Sequence, residues 1–333
     1  MDSILSTSEY LLPALPELWF SFVMVAFGGY LLLDGFDFGL GMLYHTATAN
    51  ERATLRAAFG PVWKANEVWL VLFGTVLFAG FPRVYAQLLS THYLLVFALL
   101  FALSMRGLGS KLRGNTTDAK WTPFWDQAFV AGSLFSPFLL GMLAGSWALG
   151  AASPLTPGPM VVGLTLVVLS LMLGASFLAI KTEGALQQRM AVRSRWASVG
   201  YLGMLVLTAA TFYQWHPDTQ ATLLSLPTAF IVLGSVVGGA AVYRFQQQRL
   251  HHSALFAAAS MSALLIGLVA YLMYPFVYPA EALTVRDAVV SPLPMNITFV
   301  MAVIFFPVIL LYFGFLYSVF SGPARPEDEH AYS

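Results

Sequence analysis

Two short runs place ionisable side chains where the surrounding residues are apolar. In YLLLDGFDFGLGML (30–43), Asp34 and Asp37 lie three residues apart. In GPVWKANEVWL (60–70), Lys64 and Glu67 share that spacing, among Trp63, Asn66 and Trp69. A separation of three puts both members of a pair on one helical face. A charge near the centre of a bilayer costs about 2.5 kcal/mol or more on insertion scales, so each such residue needs a physical reason. One reason is structural: Asp34 and Asp37 neutralise Lys64 across a helix pair, with the tryptophans as an interfacial belt. The other is proton chemistry. Closely spaced, partly desolvated carboxylates have raised proton affinity and can pass protons between water on one side and a relay on the other. The two readings are compatible, and residue types alone leave both open.

The elements that must position these groups follow from composition. With 58% hydrophobic and 10% charged residues over 333 positions, the chain cannot coat a water-soluble globule, and lipid must be its main solvent. Runs of about twenty apolar residues predict nine membrane spans, at 17–43, 57–80, 86–105, 124–148, 160–181, 196–215, 225–243, 254–274 and 297–320. All nine read as helices, because stretches such as LLVFALLFAL lack the alternation of a barrel strand. The expectation is one polytopic membrane domain, 1–333, with no linker, soluble domain or visible repeat. The prolines of PLPMN mark the start of the last span.

Orientation is read from Lys and Arg. Loops 1–2, 3–4, 5–6 and 7–8 hold Arg52 and Arg56, then Arg106, Lys111, Arg113 and Lys120, then Lys181, Arg189, Arg193 and Arg195, then Arg244 and Arg249. The opposite side holds Arg83 and Arg286. The positive-inside rule predicts an outer N-terminus and, after nine spans, a cytoplasmic tail PARPEDEHAYS. Residues 1–15 carry acids and no Lys or Arg, which is not the basic start of a cleavable signal peptide, so the first span is expected to be retained.

Several function classes fall away. The 16 basic and 16 acidic residues cancel, so no global field recruits nucleic acid. The absence of Cys excludes disulfides, thiolate-ligated clusters and cysteine nucleophiles. A haem in a helical bundle usually takes His or Met from within a span. Of the six histidines, His45, His216, His251 and His252 fall at loops or span ends, His92 near the outer end of span three, and His330 in the tail. Met204, Met261 and Met273 read as packing. No P-loop, dinucleotide fingerprint, H-E-x-x-H or G-x-S-x-G motif occurs. Gly35, Gly39 and Gly41, with Gly141 and Gly145, give two small-residue faces suited to close helix approach.

The run DGFDFGLGML, followed by GPVWKANEVWL and FPRVY, resembles the N-terminal signature of subunit II of cytochrome bd-type quinol oxidases. The similarity continues through Arg106, KWTPFWD with Trp121, Trp125 and Asp126, GASFLAIKTEG with Thr182, Glu183 and Gly184, YPFVYP and PVILLYFGFLY, and so covers essentially the whole chain. It implies an all-α integral membrane fold of nine helices, two four-helix bundles plus one peripheral helix. It implies a haem-bearing partner, subunit I, which holds b-type haems and haem d, or b-type haem alone as in the cyanide-insensitive branch toward which the wording here leans. That partner would oxidise quinol near the outer face, while oxygen is reduced to water with protons from the cytoplasm. The site is the inner membrane of a prokaryote, and a small single-helix subunit is a further possible partner.

By the same resemblance this subunit stabilises subunit I, binds a lipid or structural quinone, and in some members lines a proton path, with no catalytic or metal-binding residue of its own. Asp34 and Asp37 match the two acids of the family's D-G-F-D element, and Trp63 and Asn66 its W-x-x-N element. Relatives usually carry an acid directly after that tryptophan, where this chain has Lys64; Glu67 lies one turn further on. The expected proton entry is therefore Asp34, Asp37 and Glu67, with Lys64 setting their charge balance and Trp63, Asn66 and Arg106 as structural neighbours. The rival readings are a proton-coupled secondary transporter, which would need broken paired helices, and a scaffold in which the acids only fix helix register.

Overall fold

The computed structural model describes residues 9–115, 120–215, 220–325 and 327. His216, His330 and most of the tail whose cytoplasmic position the sequence predicts lie outside them. The main helices are α1 (Leu15–Tyr44), α2 (Ala49–Phe59), α3 (Trp63–Gly80), α4 (Pro82–Thr91), α5 (Tyr93–Asn115), α6 (Trp121–Leu149), α7 (Pro157–Lys181), α8 (Gly184–Trp215), α9 (Gln220–Leu223), α10 (Leu226–Gln247), α11 (His251–Met273), α12 (Val285–Ala288) and α13 (Pro292–Val319). Prolines in the first turn open α1, α4, α7, α10 and α13, where a missing amide proton costs nothing.

Eight of the described helices are long and apolar enough to cross a membrane, and α2 with α3 makes a ninth if that bent pair is one span. The sequence expectation of an unbroken span at 57–80 is corrected here. Gly60 and Pro61 interrupt it, and the axis turns by 49° between α2 and α3, because proline cannot donate the helical bond and its ring clashes with the preceding turn. Two other boundaries move as well. Residues 82–91 form α4, so the third span begins at Tyr93, and α8 starts at Gly184, taking the basic stretch of loop 5–6 into a helix.

Helices α1, α3, α5 and α6 form one group, and α7, α8, α10 and α11 a second; α1 and α6 pack on α7 along the seam. At that seam Gly39 faces Gly174, and a Cβ at Gly39 would sit 2.7 Å from the Gly174 Cα, so glycine is what lets α1 and α7 touch backbone to backbone. Gly141 makes the equivalent approach to Gly163 between α6 and α7. Helix α13 lies outside both groups, against α3, and buries only Met295, Asn296 and Phe313 among its 28 residues.

The two ends of the bundle are chemically distinct. At one, Arg52 and Arg113 both bind Asp126, at 3.0 and 3.1 Å, and Arg189 binds Glu51 at 2.6 Å, which brings three of the basic loops together. At the other, a two-stranded antiparallel ribbon, β1 (Phe276–Tyr278) and β2 (Leu283–Thr284), fills the connection between α11 and α13. Trp147 holds it with an indole N–H to Val277 O at 2.8 Å. Arg83–Glu281 and Arg286–Glu17 pairs lie at this end.

Candidate functional site

The fully buried charges converge where α1, α3 and α5 meet. Arg106 on α5 reaches across with both terminal nitrogens: Nη1 donates to Asp34 Oδ1 at 2.5 Å and Nη2 to Glu67 Oε1 at 2.7 Å. Its guanidinium lies over the Phe38 ring, 4.6 Å from the centroid. A planar fork with five donors suits two carboxylates on separate helices, which a lysine's point charge would serve less well. Helix α6 supports the reach. Gly132 abuts the Arg106 backbone, where a Cβ would fall 2.9 Å from the Arg106 Cα, so α5 sits close enough to α1 for the side chain to bridge.

Asp37 has a different partner. Asn66 Nδ2 donates to Asp37 Oδ2 at 2.9 Å and to Leu33 O at 3.1 Å, and its Oδ1 accepts from the Tyr317 hydroxyl at 2.9 Å. The Leu33 carbonyl and the Asp37 carboxylate are both acceptors, so the amide nitrogen must face them and the amide oxygen must face Tyr317. Asp34, Asp37, Asn66 and Arg106 are fully buried. Glu67 alone of the set reaches outward, with 34% of its side chain exposed. Asp34 Oδ2, Asp37 Oδ1 and the buried Tyr30 hydroxyl one turn before Asp34 make no close, well-aligned hydrogen bond among the described residues, and Tyr30 lies beside Asp34. Two carboxyl groups thus share one guanidinium with a third beside them on Asn66.

The structure brings Asp34, Asp37, Glu67, Asn66 and Arg106 together. Lys64, expected against the aspartates, is exposed; its Nζ sits 5.8 Å from the Trp63 ring, and it makes no ion pair among the described residues. Arg106, expected as a loop-side neighbour, is the buried counter-cation. The break at Pro61 leaves Lys64 in the first turn of α3, on an outward position, and Glu67 one turn deeper. Trp63 stacks on Phe59 across that break, with centroids 5.5 Å apart. Tyr317 and Tyr30 were not among the sequence candidates. The sole signal for Tyr317 was a hydroxyl in the run LLYFGFLY, which apolar helices commonly carry near their ends.

Three of the described histidines lie at helix ends or joints. His45 Nδ1 faces Met42 O at 3.0 Å and His251 Nδ1 faces Gln246 Oε1 at 2.7 Å, while His92 is buried at the α4–α5 joint. A cavity of about 930 Å³ between α8, α10 and α11 is lined mainly by apolar residues such as Leu205, Phe212, Ile231 and Leu265, with Gln214, Gln220 and Thr228 as polar members of its wall.

Comparison with known proteins adds an independent finding. Residues 15–320 match a family model described as cytochrome bd terminal oxidase subunit II. The chain is 32% identical over 235 residues to the cytochrome bd ubiquinol oxidase subunit 2 of Bacillus subtilis, covering 66% of this chain and 70% of that one. It is 25% identical to the cytochrome bd-I ubiquinol oxidase subunit 2 of Escherichia coli, across 93% of this chain and 95% of the relative. A probable cytochrome oxidase subunit 2 of Haemophilus influenzae is 24% identical, with 92% and 94% covered.

Proposed function

This chain belongs to the cytochrome bd terminal oxidase subunit II family, and from that premise we propose that it stabilises a haem-bearing subunit I and supplies a proton path to it. The family makes it a multi-pass membrane subunit of a haem-containing quinol oxidase complex. The complex would oxidise membrane quinol, release the protons outside, and reduce O2 to water with protons drawn from the cytoplasm. That separation generates a proton-motive force without a pump. This subunit has no redox centre of its own in the proposal and is not catalytic alone. The haems, b and d or b only, sit on the partner, and a small single-helix subunit completes the assembly. The proposal places the subunit in the inner membrane, with the N-terminus outside and the C-terminus inside as read from the distribution of Lys and Arg.

The observation that carries the proposal is the buried Asp34–Arg106–Glu67 bridge with Asp37 beside it. Burying two aspartates and a guanidinium, with a third carboxylate at the edge, is a poor way to stabilise a membrane protein, since apolar packing would serve as well or better. Such clusters inside membranes mark proton or ion paths. Glu67, partly exposed, would take the proton; Arg106 would hold Glu67 and Asp34 in register; Asp34 and Asp37 would pass it on. Lys64 lies outside the cluster and would tune only the approach to Glu67. The apolar cavity between α8, α10 and α11 offers a seat for a lipid tail or a structural quinone.

Two measurements test this. A reduced-minus-oxidised visible spectrum of the complex purified through this chain, with its subunits identified by mass spectrometry, is expected to show haem bands and a haem-rich membrane partner. A colourless single polypeptide would sink the oxidase role for this protein. In the assembled complex, Asp34→Asn and Asp37→Asn are expected to slow oxygen consumption and the accompanying membrane energisation together. Wild-type values for both variants would remove the proton path and leave a scaffold.

A further inference from the structure

Helix α13 is apolar on nearly all sides and buries three residues, with Phe306 and Phe313 packed on Phe22 and Trp69. Polar pins at both ends add to these contacts in fixing its rotation and depth. Near its start, Asn296 accepts from the Leu11 amide at 2.7 Å and donates to Glu9 O at 3.1 Å. Near its end, Tyr317 donates to Asn66. Beyond Tyr317 the chain is clasped by Lys181, the last residue of α7: its Nζ donates to Phe320 O and, at 3.1 Å, to Gly322 O, while its own carbonyl accepts from the Ala324 amide at 2.9 Å.

Lys181 is 7% exposed and has no carboxylate partner among the described residues. A buried ammonium needs compensation. Here it comes from the Phe320 and Gly322 carbonyls just past the end of α13, where the helix dipole also supplies negative charge. Tyr317 lies three residues before Phe320, within the same last turn, so a clamp on Phe320 and Gly322 keeps that turn wound and the phenol in place. Asn66 then spends its oxygen on Tyr317 and its nitrogen on Leu33 O and Asp37. The Asn66 donation is the one hydrogen bond that Asp37 receives from another helix among the described residues.

We propose that Lys181 is a positioning residue that acts through Tyr317 and Asn66 to fix the carboxyl group of Asp37, making α13 a latched cover over the proton site. The proposal rests on the proton-path reading above for its bearing on turnover. The charged and titratable groups facing Asp37 are Asp34 on α1, Glu67 on α3, Arg106 on α5 and Tyr317 on α13. Helices α6 and α7 bring Ser133, Ser170 and Gly174 to this part of α1.

The test uses the assembled complex and three readouts: amide exchange of the 313–324 segment by mass spectrometry, the pH profile of oxygen consumption, and the infrared carboxyl band that Asp37→Asn abolishes. Lys181→Met is expected to speed exchange in that segment about tenfold or more, as loss of charge-assisted hydrogen bonds implies. It should also displace the Asp37 band, and move the pH profile by about half a unit or more, the change one lost hydrogen bond produces. Tyr317→Phe should displace the band and profile to the same extent. The double variant should do no more than either single one, and Lys181→Arg should restore all three readouts. An Asp37 band unmoved in Tyr317→Phe, or in Lys181→Met despite faster exchange, overturns the proposal and leaves Lys181 a helix cap; additive effects in the double variant overturn it equally. If the band responds while Asp37→Asn turns over with a wild-type pH profile, the proton path fails and the latch stands.

Discussion

Replacing Arg106 by Met tests whether the buried bridge holds the first helix group together. Met keeps the length and the packing on Phe38 while deleting the charge. Both terminal nitrogens lose their carboxylates, at 2.5 and 2.7 Å, and each charge-assisted hydrogen bond contributes about 1.5–3 kcal/mol. The Glu67 half is discounted because 34% of its side chain is exposed and screening weakens such pairs. Asp34 is fully buried and is left without its cation, a defect that costs about 3–5 kcal/mol. For a chain of 333 residues that corresponds to a fall in thermal midpoint of roughly 5 °C or more. The assay is the detergent-purified complex, heated while the haem absorbance and the aggregated fraction are followed. A double-mutant cycle with Asp34→Asn supplies the control. Removing both charges is expected to recover at least half of the loss, because a neutral pair in a buried site costs far less than a lone anion. A midpoint within about 2 °C of wild type for Arg106→Met, against the roughly 5 °C expected, refutes the reasoning. So does a double variant as unstable as the single one.

Other perturbations separate the close approaches from the surface. Gly39→Leu drives a side chain into the Gly174 backbone, 2.7 Å from its Cα even at Cβ; the cost should exceed the ~1–3 kcal/mol of ordinary overpacking, read as loss of assembled complex on size-exclusion chromatography. Asn66→Leu strands Tyr317, Leu33 O and Asp37 at once, and about 2–4 kcal/mol of destabilisation is expected, measured by the same thermal assay. Glu281→Gln breaks a pair with Arg83 in which both side chains are more than one-third exposed. Such pairs contribute little, so its midpoint should match wild type, and a clear drop would show that the ribbon end is more rigid than its exposure implies. Lys64→Ala should leave the thermal midpoint unchanged, since Lys64 is exposed and outside the bridge, whereas a loss comparable to that of Arg106→Met would restore it as the counter-cation.

What the sequence determined by itself was everything that depends on local hydropathy and short spacing. Lipid was identified as the solvent from the scarcity of charge, the spans from runs of apolar residues, and the acids from their isolation within such runs, because bilayer thickness and insertion cost act on each segment separately. Helix boundaries were less legible: Pro61 breaks the second span and Tyr93 starts the third, since a sliding apolar window passes over a proline or a corner without registering it. The pairing of the charges was decided only by tertiary structure. Lys64, three residues from Glu67, was the nearer cation in sequence, but it sits at the outer edge of the bent α2–α3 pair, while Arg106 arrives from α5 through the gap that Gly132 leaves beside α6. Tyr317 and Lys181 were likewise silent in the sequence, because their partners lie 251 and 139 residues away along the chain. Which donor meets which acid depends on how whole helices pack, and side-chain periodicity within any one helix carries no record of that.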